Sequence, residues 1–319
     1  MTYLEALAQA PFLLTDGAIE TRILYEMGIP LDPDIEVARL VADHDDHLGL
    51  ETIYRQYLEA GRRNDLPMQI GTPTFRASPE RLRRAGLTEP DAVRRVNGEA
   101  VRLHRRLRQE CGPYASKVFV AGVIGPRGDA YQPAEALASE AAHDYHTPQA
   151  QALAEAGVDF LFAPTFPALS EAAGVARAMT GTGLPCVVSF VITARGTLLD
   201  GTPIHEAIAR IDDASPPAFY TISCVHPSVC REALRQQGAG ATLVHRRLLG
   251  IKANTSTLST AELVRLGRLE TEEPERFVDE LLAVGREFGF KVLGGCCGTD
   301  QRHIDCLAAR LKAEGAGPT

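Results

Sequence analysis

Cysteines are the residues of this sequence whose spacing points most directly to chemistry. The chain has seven of them, and two are adjacent, Cys296 and Cys297, inside the run GGCCGT that begins at Gly294. Adjacent cysteines are poorly placed for a disulfide with each other, because that bond would strain the peptide between them. The flanking glycines leave the backbone free to turn both sulfurs to one side. Two converging thiolates favour a soft metal ion, which needs at least one further ligand.

Cys224 is the candidate for that third ligand. It ends the apolar run AFYTISC at 218–224, which has the character of a strand, and GGCCGT follows another such run directly. In a barrel of parallel strands the carboxyl ends meet at one rim, so the three sulfurs would face one point. Three thiolates around Zn²⁺ leave one tetrahedral position open, as in a catalytic zinc site. That position suits a substrate thiol, and zinc lowers the thiol pKa so that a reactive thiolate exists at neutral pH.

The remaining candidates for chemistry are expected to be structural. His143 and His146 lie three residues apart on a helical stretch, but no third ligand is evident nearby, so a pair on the helix surface is expected. Four other cysteines lack the context of a strand end and are expected to be core or surface thiols: Cys111, Cys186, Cys230 and Cys306.

Eight short apolar segments alternate along the chain with amphipathic helical stretches. Continuous apolar character is expected of parallel strands that are covered on both faces. The predicted strands are 11–15, 67–71, 117–124, 158–162, 185–191, 218–224, 249–253 and 290–294. Helical spacing is clearest over 91–111, 275–288 and 303–311. Eight strand–helix units predict an α/β fold, a (β/α)8 TIM barrel that forms a single domain over residues 1–319.

Composition and charge exclude several classes of protein. Lys and Arg total 33 against 41 Asp and Glu, a formal charge of −8, which argues against non-specific binding of nucleic acid through its phosphates. No apolar run approaches the roughly 20 residues of a membrane span, and the first residues lack the features of a signal peptide. We therefore expect a cytoplasmic protein that binds neither nucleic acid nor membrane. The sequence leaves open whether it forms a homo-oligomer.

Segments along nearly the whole chain resemble the homocysteine S-methyltransferase family, which includes betaine–homocysteine methyltransferase and the homocysteine module of methionine synthase. The most specific segment is GGCCGT with the DQRHI that follows it. Other similar segments are LLTDGAIET at 13–21, YLEAG at 57–61, GTPTFRAS at 71–78, AGVIGPRG at 121–128 and SFVITARGTLLDGTP at 189–203. The resemblance implies a zinc-dependent barrel that moves a methyl group from an onium or related donor to a thiolate.

The resemblance also implies roles for residues at the strand ends. It makes Cys224, Cys296 and Cys297 the zinc ligands. Asp16 falls at the family's amino-acid-binding position, and a carboxylate there can pair with a substrate ammonium or, alternatively, cap the turn that follows. Asn254 ends strand seven and offers a polar contact on the same rim. The predicted substrate-binding residues are Asp16, Gly17, Thr165, Ser223 and Asn254.

Two departures from the family pattern bear on the acceptor. Ser223 stands where the family usually has Asn before the strand-six cysteine. Pro164 stands where the family has a Glu that holds the amino group of homocysteine. Proline offers neither charge nor N–H, and the loss should weaken binding of an α-amino group by about 1–3 kcal/mol. The acceptor is therefore homocysteine, giving methionine, or a different thiol at the same zinc site.

These features together predict a zinc-dependent S-methyltransferase. The zinc-activated substrate thiolate is the nucleophile, and no protein side chain takes that role. The expected partners are a small thiol acceptor and a methyl donor, for which a sulfonium such as S-methylmethionine or S-adenosylmethionine fits. A betaine-type donor needs aromatic faces, which Tyr25, Phe75, Tyr131 and Phe166 could provide. The alternative from another class is a non-catalytic barrel that binds zinc or thiols.

Overall fold

Eight parallel strands close into a barrel in the computed structural model, which describes residues 1–43, 47–258 and 269–315. The strands are β1 (Leu13–Thr15), β2 (Met68–Gly71), β3 (Val118–Val123), β4 (Phe160–Phe166), β5 (Cys186–Phe190), β6 (Phe219–Ser223), β7 (Leu248–Ala253) and β8 (Val292–Gly295). β1 pairs with β2 on one side and with β8 on the other, which closes the sheet. The predicted (β/α)8 barrel is thereby confirmed.

Helices cover the outside of the barrel. The α-helices in the described residues are α1 (Tyr3–Gln9), α2 (Ala38–Ala42), α3 (His47–Asn64), α4 (Pro79–Arg84), α5 (Ala92–Glu110), α6 (Ser139–Ala156), α7 (Leu169–Thr180), α8 (Ile204–Ala214), α9 (Pro227–Arg235), α10 (Ala241–Arg247), α11 (Pro274–Phe288) and α12 (Gln301–Gly315). The three helices predicted most clearly correspond to α5, α11 and α12. Among the described helices, none combines the length and the apolar character that a crossing of the bilayer requires.

β4 differs most from its prediction. Strand four was predicted to end at residue 162, whereas β4 continues to Phe166. Pro164 lies in this extension although proline cannot donate to a sheet ladder. The structure accommodates it through a register irregularity against β5 between Ala163 and Phe166, and through a left-handed φ of 63° at Thr165. This extension brings Pro164 and Thr165 to the carboxyl-terminal rim of the barrel.

Aromatic side chains fill the amino-terminal end of the barrel. Tyr3 of α1 stacks on Phe160 with ring centroids 3.8 Å apart, and it meets Phe119 edge-on at 5.6 Å. The Tyr3 hydroxyl donates a hydrogen bond of 2.7 Å to Gln69 Oε1. All four residues are buried. Because this end is packed with side chains, a ligand is expected at the opposite rim, where the carboxyl ends of the strands lie.

β8 passes so close to β1 that Gly294 has no room for a side chain. A Cβ at Gly294 would lie 1.9 Å from Thr15 Oγ1 and 2.9 Å from Thr15 O. We therefore expect Gly294→Ala to lower the free energy of unfolding by about 1–3 kcal/mol, because the two strands must move apart. Urea denaturation followed by circular dichroism measures this change.

Gly98→Ala is the matched control for this prediction. Gly98 lies in α5, where an added Cβ would meet Arg102 Nη1 at an ordinary 3.5 Å. Replacing a glycine inside a helix by alanine should raise the free energy of unfolding by about 0.5–1 kcal/mol. If Gly294→Ala were as stable as the parent protein, the proposed constraint between β1 and β8 would be wrong.

Candidate metal centre

Three cysteines lie together at the carboxyl-terminal rim of the barrel, and we refer to Cys224, Cys296 and Cys297 as the thiol cluster. Their sulfurs all lie within 4.8 Å of one another, and those of Cys224 and Cys297 are 3.4 Å apart. Sulfurs at the corners of a tetrahedron, each about 2.3 Å from zinc, are separated by about 3.8 Å. The spacing and the thiol chemistry of the cluster therefore fit a zinc ion. In the described part of the chain, no other group of three His, Cys, Asp or Glu side chains has this geometry.

Backbone hydrogen bonds to β7 fix the position of the thiol cluster. The N–H of Cys224 donates to Lys252 O at 2.9 Å, and the N–H of Cys296 donates to Ala253 O at 2.7 Å. Cys224 has a left-handed φ of 56°, which is uncommon for a residue other than glycine and is typical of functional sites. The Asn254 side-chain amide donates to Cys224 O at 3.1 Å. Hydrogen bonds to β7 thus fix the backbone of Cys224 and of Cys296, and Asn254 adds a bond to Cys224.

Hydrogen bonds within the thiol cluster shift the pKa values of its members. The neighbouring thiols of Cys296 and Cys297 hydrogen-bond to Cys224 and hold its pKa well below that of an ordinary thiol, and the Tyr131 hydroxyl, 2.9 Å from Cys224 Sγ, adds to this effect. The same contacts with Cys224 raise the pKa values of Cys296 and Cys297. The protein therefore favours one thiolate, and a bound cation would favour all three.

The thiol cluster forms part of the wall of a cavity of about 460 Å³. This volume is in the range of sites for small molecules. Four of the predicted substrate-binding residues line the cavity, namely Asp16, Gly17, Thr165 and Ser223. Asn254 is not part of this wall, and its contact with the Cys224 carbonyl makes it a positioning residue for the thiol cluster.

Three of the predicted residues shape the wall through contacts within the protein. A Cβ at Gly17 would lie 2.7 Å from the Tyr57 hydroxyl, so glycine is needed there for close packing. Ser223 Oγ shares a hydrogen bond of 2.6 Å with Ser189 Oγ. The Thr165 hydroxyl donates to the carbonyl of the preceding residue at 2.7 Å. The hydroxyl groups of Ser223 and Thr165 therefore already have partners within the protein.

Asp16 forms an ion pair with Lys252, a residue that sequence reasoning missed. One carboxylate oxygen of Asp16 pairs with the Lys252 ammonium, and the other accepts a hydrogen bond of 2.7 Å from Gly71 N. The side chains of Asp16 and Lys252 are only 6% and 13% exposed. A signal was present in the sequence, because Lys252 interrupts the otherwise apolar run LLGIKA of strand seven.

Glu20 is another acidic residue of the cavity wall, and the sequence did not predict it. Burial raises the pKa of Glu20 to about 7, and the negative charge of Glu36 adds to the rise. Glu36 itself forms an ion pair of 3.3 Å with Arg76. A carboxyl group that titrates near neutral pH in a cavity is a candidate for a functional role.

Two of the four aromatic residues considered for an onium donor reach the cavity. Phe75 and Tyr131 line its wall. Tyr25 is 49% exposed, and Phe166 is fully buried, with its ring centroid 5.7 Å from that of His146. Tyr54 and Phe162 also line the wall, and the Arg76 guanidinium already lies over the Phe75 ring, 4.7 Å from its centroid. Of the two candidates that reach the cavity, Tyr131 is therefore the better placed for a donor cation.

The prediction of a histidine pair on the helix surface was wrong. His146 is fully buried, and its Nε2 lies 3.0 Å from Glu171 Oε1, because this face of α6 packs against α7. His143 is part-exposed, with its Nδ1 3.1 Å from Asp144 Oδ1. The four cysteines outside the thiol cluster are free thiols, two buried and two partly buried: Cys186, Cys230, Cys111 and Cys306.

Known proteins resemble this chain in sequence over most of its length. Residues 13–311 match the family model described as homocysteine S-methyltransferase. The homocysteine S-methyltransferase of Escherichia coli K12 is 26% identical, over 93% of this chain and 94% of that protein. The methionine synthase of Mycobacterium leprae is 27% identical, over 97% of this chain and 25% of that protein. The chain thus spans about a quarter of the length of this methionine synthase.

Solved structures resemble the barrel as well. The oxidised form of the homocysteine methyltransferase MmuM from Escherichia coli superposes with a TM-score of 0.77 at 25% identity, over 96% of this chain and 99% of that one. The metallated form of the same protein gives a TM-score of 0.76 at 24% identity, over 96% and 98% of the two chains. This second similarity supports the fold.

The first prediction from this site concerns metal content. We expect the purified protein to bind about one zinc ion per chain, and Cys296→Ser to lose it, because a serine hydroxyl is a poor ligand for zinc. Inductively coupled plasma mass spectrometry of dialysed protein measures the ratio. Cys306→Ser, on α12, is the control and should retain zinc. Full retention in a variant with all three thiol-cluster residues replaced by serine would contradict the assignment.

The second prediction concerns the pH dependence of stability. Because the pKa of Glu20 in the folded protein is about 7, above its ordinary value of 4.5, the folded state keeps a proton that the unfolded state releases between these values. The stability that this group contributes is therefore lost as the pH rises through that window, by about 3 kcal/mol. Glu20→Gln should reduce the decline by this amount, as measured by urea unfolding at several pH values.

The control for Glu20→Gln is Glu232→Gln, at an exposed position of α9. This variant should keep the decline in stability of the parent protein. A Glu20→Gln profile that ran parallel to that of the parent would show that Glu20 is not the group responsible.

Proposed function

The chain belongs to the homocysteine S-methyltransferase family, and on this premise we propose that it is a methyltransferase, which transfers a methyl group from an onium donor to the sulfur of a small thiol bound at the thiol cluster. The observation that carries the proposal is the convergence of three cysteine sulfurs on the wall of a cavity that can hold a small molecule. Membership of a family of enzymes argues against the alternative of a non-catalytic barrel.

Zinc is the cofactor that we propose for the thiol cluster. A zinc ion held by Cys224, Cys296 and Cys297 would lower the pKa of an acceptor thiol, so that the acceptor is present as thiolate at neutral pH. With these three thiolates as ligands, a zinc ion would still have a ligand position open for that acceptor. The contribution of the protein is to hold the sulfurs at the ends of β6 and β8, where the β7 carbonyls accept the N–H groups of Cys224 and Cys296.

The methyl transfer itself is an in-line displacement. A sulfur lone pair of the acceptor attacks the methyl carbon, and the bond between that carbon and the donor heteroatom breaks with both electrons on the heteroatom. The leaving group, a thioether or a tertiary amine, departs uncharged, so no protein acid is needed. The acceleration then comes from thiolate formation and from the alignment of the two reactants in the cavity.

The methyl donor, a cation, also needs a binding position in the cavity. The aromatic ring of Tyr131 on the cavity wall suits an onium group, whereas the Phe75 ring already has the Arg76 guanidinium over it. Glu20 adds a carboxylate to the same wall, and its pKa of about 7 means that a nearby cation would favour its ionised form. These residues support a sulfonium or other onium as the methyl donor.

The acceptor has two candidates. Homocysteine, the first choice from the sequence, is the thiol in the names of the Escherichia coli relatives. Two features favour the second choice, a different thiol. Pro164 lines the cavity where the family resemblance placed a carboxylate, and Asp16 is already paired with Lys252.

A test of the proposed function combines a panel of thiols with a panel of onium donors. We expect the zinc-loaded protein to methylate at least one thiol, detected as the thioether by mass spectrometry. Cys296→Ser should lower kcat/KM by more than the 10–100-fold loss typical of outer-shell partners of a metal, so by at least about 100-fold. Cys306→Ser should match the parent protein. If no thiol of the panel were methylated with any donor, or if Cys296→Ser kept full activity, the proposal would be disproved.

A further inference from the structure

The Lys252 ammonium pairs with the Asp16 carboxylate and uses all three of its own N–H donors near it. A lysine ammonium has three N–H donors. Those of Lys252 have three acceptors: a carboxylate oxygen of Asp16, Asp16 O at 2.9 Å and Thr15 Oγ1 at 3.1 Å. The second carboxylate oxygen of Asp16 accepts from Gly71 N at 2.7 Å. The carboxylate is thus neutralised by a cation that belongs to the protein.

This ion pair lies where a ligand at the thiol cluster would extend. Lys252 is paired in register with Ser223 on one side and with Gly294 on the other, so it sits between the strands that carry the cysteines. Lys252, Asp16 and the thiol cluster all line the same cavity. An acceptor whose sulfur binds at the cluster therefore has the ion pair beside its carbon chain.

A second ammonium at this point would be unfavourable. It would approach Lys252 with like charge, and the negative charge of Asp16 is already neutralised by Lys252 unless the nearly buried pair first separates. The neighbouring wall from β4, formed by Pro164 and Thr165, has no charge to compensate it. A thiol that lacks an amino group avoids this cost and keeps the ion pair intact.

We propose that Lys252 is a specificity-determining residue, whose ammonium takes the place beside Asp16 and restricts the acceptor to small thiols without a cationic amino group next to the carbon chain. The inference rests on the proposed function and names the acceptor class for it. The cationic partner in the cavity is then the onium donor, for which Glu20 and the aromatic ring of Tyr131 are available.

Binding of two thiols to the cobalt-substituted protein tests this inference without a methyl donor. L-Homocysteine and 4-mercaptobutanoate are a matched pair, since they differ only by the α-amino group. Addition of a sulfur ligand changes the visible absorption of Co²⁺, so a titration gives Kd for each thiol. We expect the parent protein to bind 4-mercaptobutanoate at least about tenfold more tightly than L-homocysteine.

Lys252→Met should shift this ratio by at least about tenfold toward L-homocysteine, because Asp16 then offers an unpaired carboxylate to the ammonium. The matched control is Lys117→Met. The Lys117 ammonium also pairs with an aspartate, Asp65, at 2.7 Å, but Lys117 directly precedes β3 at the opposite end of the barrel. Lys117→Met should leave the ratio of the parent unchanged.

The outcomes separate this inference from the proposed function. Equal or tighter binding of L-homocysteine by the parent protein would overturn the role of Lys252 while leaving thiol methylation intact, and this comparison does not depend on the folding of any variant. An unchanged ratio in a folded Lys252→Met protein would overturn it as well. If neither thiol altered the Co²⁺ spectrum, the thiol cluster would not be an acceptor site, and both proposals would fail.

Discussion

The parallel pairing of β7 with β6 on one side and β8 on the other is the constraint on which the rest of the rim depends. The carbonyls of Lys252 and Ala253 on β7 accept the N–H groups of Cys224 and Cys296. β7 therefore sets the distance between the cysteine that follows β6 and the cysteine that follows β8. Metal sites need ligand positions that are held before the ion arrives, and strand ends provide them more rigidly than free loops do. The same strand carries the Lys252 side chain into the cavity.

The charges in the cavity follow from this arrangement. The thiol cluster supplies sulfurs that suit a soft cation, and the ion pair between Lys252 and Asp16 leaves the neighbouring wall without net charge. Glu20, whose pKa burial raises to about 7, lines the same cavity as the aromatic ring of Tyr131. A cavity with this distribution favours a thiolate on one reactant and a positive charge on the other, which is the charge pattern of methyl transfer from an onium group to sulfur.

The sequence predicted the barrel and the thiol cluster because both are recorded in local patterns. Continuous apolar strands indicate a parallel sheet that is covered on both faces. The adjacent Cys296 and Cys297 at the end of a predicted strand indicate a site at the carboxyl-terminal rim of the barrel. The contact between Lys252 and Asp16 was missed because it joins residues 236 positions apart through closure of the barrel. The extension of β4 through Pro164 and the burial of His146 were missed for a similar reason, since packing against neighbouring elements overrides the local signals of proline and histidine.

The central claim is that three cysteine sulfurs hold a zinc ion and leave one position for the sulfur of the acceptor. Extended X-ray absorption fine structure at the zinc edge tests it most directly on the zinc-loaded protein. We expect three sulfurs at about 2.3 Å and one lighter ligand, changing to four sulfurs when 4-mercaptobutanoate is added. A coordination shell with fewer than three sulfurs, or one that no thiol alters, would contradict the account.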